Sequence, residues 1–353
     1  MSARPGRTAL ALLFGALLPG GGAAGPPGDG ARPCAAGERA LGSVGEALDK
    51  GQWAEAERLL EPLSRSHVDC GGVVLGLARL RAAQGDTAAA ERLFARAAHL
   101  APADALAHAF FARYWLSRGQ PARADHLSAL ALSLSPDCAE ALVVRGLILR
   151  GKGQIRAARQ AFEQALRLDP VNAEAAYQLG IWFYNGRLYP EAVGQFEKVV
   201  ARRPADARAH DYLAASLEAL GEADRAELAY RSALRVNEGP FFDPLLECNY
   251  GRFLLKQGRL EESRSHLDRA VGLLPERRGP HYERGKLNLA RKDYPAARRD
   301  AERALGLADP SGLVLDVQVY YLLATVYARV GEPELAQKYA ELSRRTALPD
   351  QAR

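Results

Sequence analysis

Three sets of residues in this chain of 353 could do chemistry by their types and spacing. Gly146-Leu147-Ile148-Leu149-Arg150-Gly151-Lys152 spells the first seven positions of a phosphate-binding loop, in which backbone N–H groups cradle phosphates and the lysine reaches their oxygens. That chemistry needs Ser or Thr next, to hold magnesium, and Gly153 stands there instead with no strand-like run before the motif. Helix packing and a turn are the expected roles of these glycines. The seven histidines, His67, His99, His108, His126, His210, His266 and His281, include no His-Glu-x-x-His motif and no i, i+4 pair to clamp a metal, so no metal site is expected. Cys34, Cys70, Cys138 and Cys248 contain no Cys-x-x-Cys pair. With no Gly-x-Ser-x-Gly elbow either, no catalytic residue stands out, and neither enzymatic activity nor a cofactor is expected.

Composition narrows the class of molecule that must carry these residues. Apolar residues make up 48% and charged residues 25%, average for a chain that buries a core and far from the disordered regime. The formal charge of +5 is spread along the chain without a basic block, too weak a signal for nucleic-acid binding.

Arg4 and Arg7 precede the apolar run Thr8–Leu18, which stops at Pro19 and the glycines 20–22 and reaches the small residues Ala23, Ala24 and Gly25. That order describes a cleavable secretory signal over residues 1–25, and the run is too short for the ~20 apolar residues of a membrane span. A periplasmic or secreted location is therefore expected, with residues 26–36 as a Pro/Gly-rich leader.

From residue 37 a period takes over. Pro102, Pro136, Pro170 and Pro204 stand 34 residues apart, as do Ala90, Ala124, Ala158, Ala192 and Ala226, and also Gly85, Gly119 and Gly153. Within a unit the apolar residues recur at three- and four-residue steps, which fits two helices and a short turn. Nine units start near Gly37, Gly71, Ala105, Ala139, Ala173, Ala207, Pro244, Arg278 and Val317, with small insertions around Gly239–Phe241 and Ser311–Asp316 and a tail at 348–353. Loops absorb such insertions because closure entropy grows only logarithmically with length.

The pattern resembles the tetratricopeptide repeat family over roughly residues 37–347. The fifth unit supplies the family's Leu179, Gly180, Phe183, Ala192, Phe196 and Pro204, and the sixth supplies Leu213, Ala214, Leu217, Ala226, Tyr230 and Ala233. Val44, Leu60, Val68, Glu238 and Ala301 depart from the signature at single positions. The expected fold is all-α, a right-handed superhelical solenoid of about nine stacked helix-turn-helix repeats. No such hairpin buries its apolar face alone, so neighbours must stack.

In the first helix of each unit, positions 2, 5, 9 and 12 lie ~130° from the packing stripe. In proteins that this chain resembles, that face lines the concave groove. Here it carries Arg79 and Arg113, then Tyr177, Tyr184 and Asn185, then Arg252, Lys256, Tyr282, Lys286 and Tyr321. Arginines fork onto carboxylates and aromatic faces hold apolar side chains, so these residues are expected to bind a protein or peptide partner, such as an acidic or C-terminal segment. Asp211 and Glu218 would interrupt the positive strip, and the Lys/Asn set of the chaperone-tail clamp is missing. Alternatives are an RNA-binding helical repeat and an adaptor that self-associates through an exposed C-terminal end at Leu335, Tyr339 and Leu342. Cys34 and Cys70 sit at equivalent joints one repeat apart. Stacked helices would hold them ~10 Å apart, beyond disulfide reach, unless the leader brings Cys34 inward.

Overall fold

The computed structural model describes residues 37–238, 242–309, 312 and 314–347. The expected export segment, the leader with Cys34 and the tail lie outside the described residues. Among the described residues there are eighteen α-helices and no strand. They form nine consecutive pairs. The first five are α1 (Glu38–Asp49) with α2 (Trp53–Ser66), α3 (Gly71–Ala83) with α4 (Thr87–Leu100), α5 (Ala105–Ser117) with α6 (Pro121–Leu134), α7 (Ala139–Gly151) with α8 (Ile155–Leu168), and α9 (Ala173–Asn185) with α10 (Tyr189–Arg202). The last four are α11 (Ala207–Ala219) with α12 (Ala223–Arg235), α13 (Leu246–Lys256) with α14 (Leu260–Leu273), α15 (Arg278–Ala290) with α16 (Tyr294–Gly306), and α17 (Asp316–Val330) with α18 (Pro333–Ala347).

The repeated residues explain the repeated joints. Asp104, Asn172 and Asp206 each follow a proline by two positions and accept a backbone N–H of the first helical turn, which satisfies a donor the helix cannot. The turn inside every pair passes through one left-handed residue. At seven of these turns it is glycine, from Gly51 at φ 73° to Gly331 at φ 80°; Arg187 (φ 59°) and Lys292 (φ 62°) hold the same place without that freedom.

Packing within a pair sets a small residue against a large one. A Cβ added to Gly146 would lie 2.6 Å from the Phe162 ring, one at Gly180 2.7 Å from Phe196, and one at Gly251 2.7 Å from Leu267. The glycine lets the second helix approach, and the large side chain fills the space gained. Ala90, Ala124, Ala158, Ala192 and Ala226 are all buried in the same seams. The core is a chain of local clusters that follows the stack; the largest joins α9 to α13 around Phe196, Tyr230 and Phe253. At the C-terminal end α18 buries no residue fully, and Leu335, Tyr339 and Leu342 stay half-buried. No described helix is long and apolar enough to cross a membrane.

Candidate binding surface on the inner wall

The solenoid curves until its first repeat meets its fifth. Arg202, at the end of α10, places Nη2 3.4 Å from Asp49 Oδ2 and Nη1 3.8 Å from Glu46 Oε1, both on α1. The next residue, Arg203, donates through Nε to the Asp49 carbonyl at 2.9 Å. Inside this closure is a cavity of about 870 Å³, walled mainly by the first helices of the first six repeats, with Trp53 of α2, Phe94 of α4, Arg202 of α10 and the α8–α9 joint completing it. Leu41, Leu48, Trp53, Phe110 and Tyr114 supply an apolar lining, and Leu106 and Val171 are its most exposed apolar residues at 45% and 60%.

The opposite lining is ionic. Arg79 stacks on Phe110 with its guanidinium carbon 3.9 Å from the ring centre and reaches Asp49 Oδ1 at 2.6 Å. Arg113 forks onto Glu140, with Nη2–Oε2 at 2.9 Å, and lies 3.9 Å from Glu174 Oε2. Arg203 stands on the other side of Glu174 at 3.6 Å. Burial alone would raise the Glu174 carboxyl, but Arg113 and then Arg203 outweigh it and hold the group below its ordinary value. Burial lowers the Arg203 guanidinium against the pull of Glu174.

Of the ten residues expected to line a groove, Arg79 and Arg113 lie in this cavity. Tyr177 is a correction: it is buried, edge-on to Phe196 and Tyr212, with burial pushing its hydroxyl far up, so it belongs to the core rather than to an open surface. Tyr184 is half-buried between Tyr189 and Tyr212. Asn185 lines a separate cleft of about 100 Å³ beside Trp182 and Ile155. The remaining five belong to the last three repeats, where the expected positive strip is neutralised from within. Arg252 and Lys256 share Glu218, at 3.5 and 2.5 Å, and Lys286 pairs with Glu283 at 2.7 Å. Tyr282 is half-buried, its hydroxyl pushed up to about 12 by burial, and Tyr321 is 70% exposed.

Asp211 plays a different part from the interruption expected of it. It is buried, accepts a 2.7 Å hydrogen bond from Asn249, and faces Asp243, which lies just before α13. Asn237 holds Asp243 in place by accepting its N–H at 2.6 Å and donating to its carbonyl at 3.0 Å. Burial first, and the second carboxyl next, raise Asp211 well above its ordinary value.

The other chemical candidates resolve into structural parts. Gly146 is the seat of Phe162, and Gly153 makes the α7–α8 turn at φ 73°. His108, His210 and His281 each donate through Nε2 to the carbonyl of a proline six residues back, at 2.9, 3.0 and 2.9 Å. Among the described residues no group of His, Cys, Asp or Glu could hold a metal ion. Cys70 is disulfide-bonded, while Cys34 lies outside the described residues. Cys138 and Cys248 are free thiols, and burial pushes Cys248 up to about 12.

Family models described as tetratricopeptide repeat match residues 47–114, 143–198, 183–240 and 251–312. Among solved structures the chain is similar to the crystal structure of the APC/C hetero-tetramer Cut9-Hcn1, with a TM-score of 0.63 and 16% identity over 88% of this chain and 59% of that one. It thus spans about three fifths of that relative's length. It is also similar to the human IFIT1 dimer with PPP-AAAA, at a TM-score of 0.50 and 18% identity over 84% of this chain and 69% of that one. A monomeric IFIT1 mutant with m7Gppp-AAAA gives 0.52 and 18% over 84% and 68%. At these identities the likeness is one of fold. No curated protein sequence matches the chain.

Proposed function

The chain belongs to the tetratricopeptide repeat family, a fold that generally serves as a protein–protein interaction scaffold, and from that premise we propose that it is exported and holds a segment of a partner protein against its inner wall. The observation that carries this reading is the cavity inside the first six repeats. Its volume of about 870 Å³ suits several side chains of a peptide, and its lining combines aromatic faces with fixed guanidinium groups. A segment with apolar side chains among carboxylates complements both. The apolar side of the wall, with Leu106 and Val171 exposed, favours a peptide over an oligonucleotide, whose phosphates it would not bind.

Leu106→Asp and Val171→Asp test the surface without disturbing the core, since both residues are exposed. Partners cross-linked to the full chain in its native cells should be lost from these variants and kept by Leu228→Asp on α12, a control that is 67% exposed. Capture that survives the two cavity variants would place the partner elsewhere. For export, the mature N-terminus should begin near residue 26 in a secreted or periplasmic fraction; an intact Met1 in the cytosol would refute that part.

A further inference from the structure

Arg79 and Arg202 come from helices far apart in the chain, α3 and α10, and converge on one carboxylate. Among the described residues, every ion pair that these two make is with α1, through Asp49 or Glu46. The two sides of this contact differ in kind. The side chains of Arg79, Arg202 and Arg203 are only 16%, 25% and 14% exposed, and Arg79 is fixed on the Phe110 ring. Asp49 and Glu46 are 41% and 53% exposed. The cations are thus built into the wall, and the anions sit at its rim.

The anions also ride on the helix that is easiest to move. Among the described residues α1 opens the first repeat, which stacks on the second and meets the fifth only through Arg202 and Arg203, and its packing rests on Leu41, Val44, Ala47 and Leu48. Terminal helices open at low free energy compared with the middle of a stack. A fixed arginine set facing a movable carboxylate has the form of a binding site occupied from within the chain.

We propose that Arg79 and Arg202 form a carboxylate-binding site that Asp49 fills in the free protein, with Arg203 steadying the Asp49 main chain through its carbonyl, and that an acidic segment of a partner protein displaces Asp49 and parts the first repeat from the fifth. The site rests on the partner-holding role above and adds its regulation. Access to the cavity is coupled to the partner's charge, because a competing carboxylate replaces what the arginines lose. Arg113 stays with Glu140 in either state and keeps the wall in place.

The test uses the full chain and a fluorescein-labelled dodecapeptide of alternating Glu and Leu, read by anisotropy. If the closed form holds about nine molecules in ten, Asp49→Ala binds the probe about ten-fold tighter than the wild type. Asp49→Glu restores wild-type affinity, which separates competition by a carboxylate from damage to α1. Arg202→Ala binds at least about ten-fold weaker, as expected when a hydrogen-bonded charge partner is removed. Hydrogen exchange gives a second readout: amides 49–52 of the wild type exchange faster when the probe is saturating. Equal affinity of Asp49→Ala and wild type, unchanged exchange at those amides, or no binding by any chain would overturn the displacement. The last result leaves the broader reading to the Leu106→Asp and Val171→Asp capture, which does not depend on the probe's acidity.

Discussion

The first five repeats and the last four use the same hairpin and differ in how far their inner-wall ion pairs reach. In the last four, ion pairs of the inner wall join neighbours: Lys286 reaches Glu283 on its own helix, and Arg252 reaches Glu218 one repeat back. In the first five, Arg202 and Arg203 reach back to α1 across four repeats. Neighbour contacts hold up the stack, whereas a contact that skips repeats fixes its curvature and encloses space. The difference teaches that enclosure needs only a few residues at the two ends of an arc.

Four changes would break or sharpen this contrast. The largest effect belongs to Phe253→Ala in α13, whose ring is buried in the seam of the seventh repeat. Removing such a ring costs about 3–5 kcal/mol. Urea unfolding should then separate into two transitions, with exchange protection near Arg202 outlasting that of α13; a single transition would show that the two regions are not independent. Next comes Glu174→Gln, which leaves Arg113 and Arg203 without their shared carboxylate, at a cost of about 1–3 kcal/mol. Because the folded pKa of Glu174 lies below its ordinary 4.5, its contribution is complete above that pH and is lost as pH falls through the folded value. Acid unfolding of the first five repeats should therefore steepen below pH 4.5 in the wild type and lose that component in the variant.

Asp211→Asn probes the opposite sign in the other region. Asp211 is raised above its ordinary 3.8, so the folded state holds a proton that the unfolded chain releases, and stability falls as pH rises from 3.8 to the folded value. The amide would donate to Asp243 without that proton, so the variant should be more stable than the wild type at neutral pH, with the difference shrinking as pH falls toward 3.8. A thermal midpoint that follows pH equally in both proteins would refute it. The smallest effect is Arg187→Gly, which relieves a left-handed turn at φ 59° and should stabilise by about 0.5–1 kcal/mol, read from the urea midpoint.

The solenoid was legible because its signals repeat. Alanine and proline at one spacing, with Gly146, Gly180 and Gly251 each sixteen residues before a large side chain, state the hairpin several times over. Even Arg113–Glu140 had a signal, since both Glu140 and Glu174 take the second position of their units, facing the arginine face. Asp49–Arg202 had none: the residues are 153 apart, and the curvature that joins them is the sum of small rotations that no local pattern encodes. Tyr177 misled because position 5 borders the packing stripe, and the large core around Phe196 extends across it. Glu218, expected to interrupt the positive strip, pairs with Arg252 and Lys256, whereas Glu283, at position 6 of its unit and so outside the face that was read, neutralises Lys286.

The contact between α1 and the end of α10 also has a mechanical consequence. A stack of hairpins is a spring whose length grows smoothly with load, yet here the first turns of the coil are hooked to themselves. Pulled from its two ends, the molecule should stay stiff until Arg202 and Arg203 let go of Asp49, then lengthen in one early step before any helix unravels. Force–extension traces lacking that step would show that the hook bears no load.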